Sequence, residues 1–336
     1  MKLKQIGKYI INLIKQNFSD TFETVFTLLK IMIPVSIITK IMEVLGLIDI
    51  LGKLLNPVME LVGLPGEFGL VWASTIITNI YGGIIVFFSL LSKMDITIAQ
   101  VTVLSTMMLI AHTFPIENII CRKAGVKFRF ISLFRIVNAF MLGLLLNYFF
   151  KFFNLYNKQL NIMWKPEIKN ETIPSWAFNE LKNYLMIFII IFALLFIIKI
   201  FKKTGLIKIF NMIFNPILRI FGISKKATPI TIIGMTLGLA YGGGLIIKEA
   251  KDNKLSQKDV FFSLAFLSLS HSLIEDTFLM LSMGASLVGI FFGRLFYTII
   301  VIYLLTKFVE FIGDRKFRYL FMKEIEKDPD KDNPGP

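Results

Sequence analysis

Cysteine and histidine are almost missing from this chain of 336 residues, which has one of the first and two of the second. Because Cys121 stands alone, no intramolecular disulfide can form, and cysteine usage says little about redox compartment. Phosphate loops, nucleophile elbows and dinucleotide fingerprints are absent, and the serine-rich stretch SLSHS lacks a triad arrangement. The expectation is therefore a protein that is not an enzyme and needs no cofactor. A formal charge of +14 could suggest nucleic acid, but Lys and Arg fall at the ends of apolar segments, with no basic stripe or interleaved aromatic motif. That partner is excluded.

Apolar residues are abundant: 55% of the chain is hydrophobic, phenylalanine alone contributes 34 residues, and the mean hydropathy is +0.69. Runs such as Tyr184 to Phe201 and Leu287 to Leu305 reach the roughly 20 residues that a helix needs to cross a hydrocarbon core. An integral membrane protein in contact with the lipid bilayer follows. The start, MKLKQIGKYIINLIKQNF, is basic and amphipathic without a small-residue cleavage site, and reads as a retained surface helix.

The two histidines head a repeated constellation. His112 lies in AHTFPIEN and His271 in SHSLIED, 159 residues later; each is followed by an acidic pair or an acid and an amide, Glu117-Asn118 and Glu275-Asp276, and then by an arginine in an apolar run, Arg135 and Arg294. Residues 46–63 align without gaps to 205–222 with seven of eighteen positions identical, including Asn56-Pro57 and Asn215-Pro216, and Tyr81-Gly82-Gly83 returns as Tyr241-Gly242-Gly243. Each half then reads as a long apolar helix (24–45; 182–202), an amphipathic segment (48–62; 207–221), an apolar stretch broken by Tyr-Gly-Gly (66–91; 227–248), a His-bearing helix (97–120; 257–280) and an Arg-bearing helix (128–150; 286–309). Segment boundaries are expected at 1–19 for the basic N-terminal helix, 20–153 and 180–312 for the repeats, 154–179 for a polar linker, and 313–336 for a charged tail.

Broken helix at membrane depth is tolerated where it lines a protein cavity, so the Tyr-Gly-Gly stretch is expected to enter and return as a hairpin. Three crossings per half invert the second copy. Lysine and arginine placement agrees: Lys2, Lys4, Lys8 and Lys15, then Arg122 to Arg129, then Lys199 to Lys226, then Arg315, Lys316 and Arg318 all fall on one side. The expected fold is an all-α polytopic membrane protein of two inverted repeats, each with three transmembrane helices, an interfacial amphipathic helix and a re-entrant helical hairpin. It would lie in the plasma membrane with both termini cytoplasmic and the linker outside.

Inverted broken helices are the architecture of secondary transporters, with freed backbone and helix ends turned to a substrate. Candidate binding residues are Asn79, Tyr81, Gly82 and Gly83 in one hairpin tip and Tyr241, Gly242 and Gly243, with Gly244, in the other; His112, Glu117 and Asn118 form a third group, and His271, Glu275 and Asp276 a fourth. The plainer reading of the glycines is helix packing. His271 and Glu275, four apart, would share a helix face, and a one-residue bulge near Pro115 would bring Glu117 to the same position. Pairs of Glu117 with Arg135 and of Glu275 with Arg294 would be interhelical and structural. Neither copy by itself places a second histidine or a cysteine beside its own, so no metal set is read from either half. Histidine has an unperturbed pKa of about 6.5, and a role in proton coupling is expected for both.

The stretches GLPGEFGLVWASTIITNIYGG and AQVTVLSTMMLIAHTFPIE resemble the Gate, or nucleoside recognition, domain found in concentrative nucleoside transporters, in the membrane part of ferrous iron transporter B and in small spore-maturation membrane proteins. The resemblance covers about residues 20 to 310. It implies hairpin tips at Asn79 to Gly83 and Tyr241 to Gly244, broken helices at His112 to Asn118 and His271 to Asp276, and a transport domain moving against an oligomeric scaffold in a homo-oligomer. The function expected is an elevator-like carrier for a small polar solute such as a nucleoside. The alternatives are a non-transporting subunit that docks a partner and a divalent metal permease.

Overall fold

The computed structural model describes residues 2–91, 94–160, 172–203 and 206–323; for residues 2–15, 194, 197–203 and 206–211 it describes the backbone only. Among these, all regular structure is helical, and the strand-like contacts are two isolated bridges, Thr97 with Gln159 and Val126 with Met322. The first half comprises α1 (Lys2–Val44), α2 (Leu47–Leu61), α3 (Phe68–Ile77), α4 (Ile80–Leu91), α5 (Ile98–Ile110), α6 (Phe114–Lys123) and α7 (Phe128–Phe152). The second comprises α8 (Ile173–Lys203), α9 (Leu206–Ile220), α10 (Thr228–Leu237), α11 (Leu239–Lys251), α12 (Gln257–Ser270), α13 (Glu275–Ser282) and α14 (Arg294–Phe321), the last entered through a π-helical turn at Val288–Gly293 and kinked at Gly313.

Among the described residues, six helical stretches are long and apolar enough to cross a membrane, three in each half: Gln16–Val44, Ile98–Lys123 and Phe128–Phe152, then Ile173–Ala193, Gln257–Ser282 and Val288–Phe321. The apolar helices α3 and α4 have 10 and 12 residues, and at about 1.5 Å per residue neither reaches a hydrocarbon thickness of about 30 Å. Instead the chain folds back. A Cβ built on Gly83 would lie 1.8 Å from the Thr75 hydroxyl, and one on Gly242 would lie 2.5 Å from the Gly234 Cα. Eight residues of a continuous helix would separate those positions by about 12 Å, so α3 and α4 double back at Asn79, and α10 and α11 at Gly238.

Those reversals correct the expected position of the break. Tyr-Gly-Gly lies in the first turn of the second helix of each pair, and the chain turns at Thr78-Asn79 and at Gly238, whose φ of 99° favours glycine. Asn79 accepts from the Gly82 N–H at 2.9 Å and so caps α4, while the glycines supply the close approach that folding back demands.

The centre of the protein is formed by α5 and α12. Every residue from Val101 to Ile110 is buried, as is every residue from Asp259 to Ser270, so these helices present no solvent- or lipid-facing stripe. They pack against each other, with α7 and α14 alongside. Both begin with a capping box, Thr97 with Gln100 and Ser256 with Asp259, and the second residue of each box also binds the turn after the amphipathic helix: Gln100 donates to the Gly63 carbonyl, and Asp259 accepts from the Ser224 N–H at 2.7 Å.

Two expected boundaries read differently. The basic start is continuous with the first apolar helix from Lys2 to Val44, with no break at 19. The last residues of the expected linker, from Ile173, are the first turns of α8, and residues 161–171 lie outside the described residues. At the expected boundary of the last segment Gly313 (φ 75°, ψ 167°) interrupts α14, and the helical stretch beyond it runs to Phe321, where Lys127 N–H donates to the Phe321 carbonyl at 2.8 Å and Lys323 N–H to the Gly125 carbonyl at 2.7 Å; residues 324–336 lie outside the described residues.

Candidate functional site

Both His-bearing spans are interrupted at the histidine. Helix α5 ends at Ile110 and α6 starts at Phe114; α12 ends at Ser270 and α13 starts at Glu275. Inside the interruptions Thr113 and Ser272, 159 residues apart, adopt left-handed φ values of 52° and 47°. A bulge and a shared helix face are thereby replaced by a full break, because helical periodicity does not pass through a left-handed residue. Counting by 159, the counterpart of Glu117 is Asp276, not Glu275.

A break inside an apolar bundle frees backbone groups that must find partners. The same residue types supply them in both halves. The Nδ1 of His112 lies 2.9 Å from the Met108 carbonyl, and that of His271 lies 2.6 Å from the Leu267 carbonyl, so each ring replaces the backbone donor that a continuous helix would have provided. The Nε of Arg135 donates to the Ile110 carbonyl at 2.7 Å, and that of Arg294 to the Leu269 carbonyl at 2.7 Å. The folded-back pairs dock on the same breaks: Thr113 N–H donates to the Thr75 carbonyl at 3.0 Å and Leu273 N–H to the Met235 carbonyl at 2.8 Å.

The two breaks face each other. The Nε2 atoms of His112 and His271 are 2.9 Å apart, and one carboxylate oxygen of Glu117 lies 3.4 Å from the first and 3.2 Å from the second. All three side chains are buried, at 4%, 1% and 7% exposure. A carbonyl can only accept, so each Nδ1 carries a proton, and a ring that holds no second proton turns a lone pair on Nε2 inward. With both rings neutral, three acceptors converge on one point with no donor between them. Such a junction calls for a cation. The other Glu117 oxygen pairs with Arg135 Nη2 at 2.7 Å, a close ion pair outside ideal hydrogen-bond direction, and Arg135 Nη1 donates to Asn118 Oδ1 at 3.0 Å. Asn118 in turn donates to the Ser132 hydroxyl at 2.9 Å, and the Arg135 guanidinium lies over the Phe114 ring.

The structure thus brings together His112, His271, Glu117 and Asn118, with Arg135 behind them. Asp276 is buried beside Arg294, on which its charge acts more than that of any other carboxylate. Glu275 is partly buried and, with Asp276, lies in electrostatic range of the Tyr81 phenol. Gly82, Gly83, Gly242 and Gly243 meet Thr78, Thr75, Gly234 and Ile120, so packing accounts for them, and Tyr241 is 66% exposed on the outer face of its helix pair. Sequence reasoning missed the joining of the two histidines, because it weighed each half separately. A signal was available: in a twofold arrangement, counterparts at one offset can meet on the axis. Asn138 and Tyr297, again 159 apart, do the same through a 2.8 Å hydrogen bond.

Compared with known proteins, the chain matches the family model described as Gate, nucleoside recognition, over residues 25–125 and 184–308. The chain belongs to the Gate family. It is also 27% identical over 270 residues to the uncharacterized membrane protein YvoD of Bacillus subtilis (strain 168), an alignment covering 78% of this chain and 84% of that protein. No solved structure matches. With six membrane-capable helices, this Gate protein is a multi-pass membrane protein with a role related to transport. Both matched segments contain a broken helix and its folded-back pair.

Proposed function

We propose that the protein is a secondary carrier that moves a small polar solute by alternating access, with its site at the junction of the two broken helices. The observation that carries this reading is the contact of His112 with His271, counterparts from the two halves that meet at buried helix breaks. Three spans per half put the second half upside down relative to the first, so the axis through His112–His271 and Asn138–Tyr297 lies in the membrane plane, near its middle. The folded-back pairs are then re-entrant hairpins, and their docking on Thr113 and Leu273 couples any movement of a hairpin to the site. Asn79, Tyr81, Glu275 and Asp276 belong to the surfaces that such movement would expose, whereas Tyr241 already stands on an exposed face. A homo-oligomeric scaffold and a nucleoside as solute rest on the family's description alone. The convergence of three acceptors favours a second reading, in which the solute or the coupling ion is a cation.

Uptake into proteoliposomes tests the proposal. The purified chain should accumulate or exchange a solute without another protein, and the His112→Gln and His271→Gln variants should alter the pH profile of that uptake. A chain that transports nothing unless a partner is added is a docking subunit instead. For orientation, Ser175→Cys should react with an impermeant reagent from outside and Lys225→Cys should not; the reverse would overturn the placement of both termini in the cytoplasm.

A further inference from the structure

We infer that His112, His271 and Glu117 form a binding site for one divalent transition-metal ion, of the zinc or ferrous class, shared between the two halves of the protein. The proposal rests on the reading of this junction as the carrier's site and specifies what it binds.

Geometry comes first. The three inward atoms form a triangle with edges of 2.9, 3.2 and 3.4 Å. Ligands bonded at about 2.0–2.1 Å are separated by about 3.3 Å around a tetrahedral ion and about 3.0 Å on an octahedral face, so these edges bracket both arrangements. A circle through the three atoms has a radius of about 1.8 Å, shorter than the metal–ligand bond, so an ion can touch all three from just above their plane. The coordination would be open on that side.

The supporting shell is the one a metal requires. Both imidazoles donate their second nitrogen to a backbone carbonyl, which fixes Nε2 as the ligand, and Glu117 is oriented from behind by Arg135. Two nitrogens and one carboxylate oxygen suit zinc, iron or manganese, whereas calcium and magnesium prefer oxygen throughout. The competing occupant is a proton, which would turn one ring into a double donor and bridge the same three atoms.

Cobalt(II) is the probe that separates them. The purified full chain in detergent, stripped of metal, should bind one cobalt ion per chain, with visible absorption bands of low-symmetry nitrogen and oxygen coordination, and zinc should displace it. His112→Gln and His271→Gln should each weaken binding by more than the roughly 10–100-fold that loss of a ligand's supporting partner costs. Size-exclusion profiles matching that of the unaltered chain keep a misfolded variant from counting as support. Unchanged cobalt affinity in both folded variants, or no binding by the unaltered chain at pH 7.5, overturns the metal site and leaves the proton. Proteoliposome flux is scored separately: stoichiometric metal binding without flux retains the site and sinks the carrier, while flux of another solute without metal binding does the reverse.

Discussion

In the first half, each nitrogen of the Arg135 guanidinium has a partner: Ile110 takes Nε and Asn118 takes Nη1 by hydrogen bonds, and Glu117 takes Nη2 as an ion pair without one. In the second half, Arg294 spends Nε and Nη2 on the carbonyls of Leu269, Leu109 and His271, and its Nη1 has no hydrogen-bond partner. Asp276 Oδ2 and the Thr277 hydroxyl, counterparts of groups on Glu117 and Asn118, are likewise buried without one. Asp is one methylene shorter than Glu, and Thr lacks the amide that links Arg135 to Ser132. The backbone duties of the break, performed by His and Arg in both halves, have stayed duplicated. The carboxylate duty at the histidines has passed to one half.

That asymmetry predicts very different costs for two matched substitutions. Glu117→Gln removes the ion-pair partner of a fully buried arginine and should lower stability by about 3–5 kcal/mol. Asp276→Asn touches a carboxylate whose Oδ2 is already unpartnered, next to an arginine held by three carbonyls, and should cost on the order of 1 kcal/mol. Unfolding in mixed micelles measures both. Equal losses would mean that the second half depends on its carboxylate as heavily as the first.

The folded-back pairs differ in what blocks a side chain. At Gly242 a methyl group would meet backbone, the Gly234 Cα, which cannot rotate away; at Gly83 it would meet the Thr75 hydroxyl and the flexible end of Met108. Gly242→Ala should therefore destabilise by about 1–3 kcal/mol or more, and Gly83→Ala by less. Gly244 has open space around its Cβ position, and Gly244→Ala should gain roughly 0.5–1 kcal/mol from helix propensity. A loss at Gly244 equal to that at Gly242 would show that the pair opens and packs elsewhere.

Much of this organisation was legible in the sequence. Apolar runs gave the six membrane-capable helices, and amphipathic patterning around Asn56-Pro57 and Asn215-Pro216 gave α2 and α9 within a residue or two. Legibility failed where conformation depends on a single backbone angle. Thr113 and Ser272 carry no marker for a left-handed residue, so periodicity ran the His-bearing segments on as continuous helix and only the family resemblance implied breaks at His112 to Asn118 and His271 to Asp276, while the conspicuous Tyr-Gly-Gly drew attention away from Thr78 and Gly238, where the chain turns. The site failed differently. Each half offers one histidine, and only the axis between the halves makes two of them neighbours. Sequence offset identifies counterparts but carries no distance.

The smallest contrast concerns those left-handed residues. An L-residue in this region pays about 1–2 kcal/mol, more when branched at Cβ, so Thr113 at φ 52° is the more strained of the pair. Glycine relieves that strain but has more freedom to lose on folding, by roughly 0.5–1 kcal/mol. At Thr113 relief should win, because its structural contact is the backbone N–H to Thr75, which glycine keeps, and Thr113→Gly should stabilise by about 0.5–1 kcal/mol. At Ser272 the hydroxyl packs against Gly238 at the turn of the second folded-back pair, and removing it offsets the gain, so Ser272→Gly should be near neutral. Paired unfolding curves decide it. An equal gain at both positions would mean that the Ser272 hydroxyl does nothing for the docking of α10 and α11 on the break, and that the two interruptions are closer in strain than their side chains suggest.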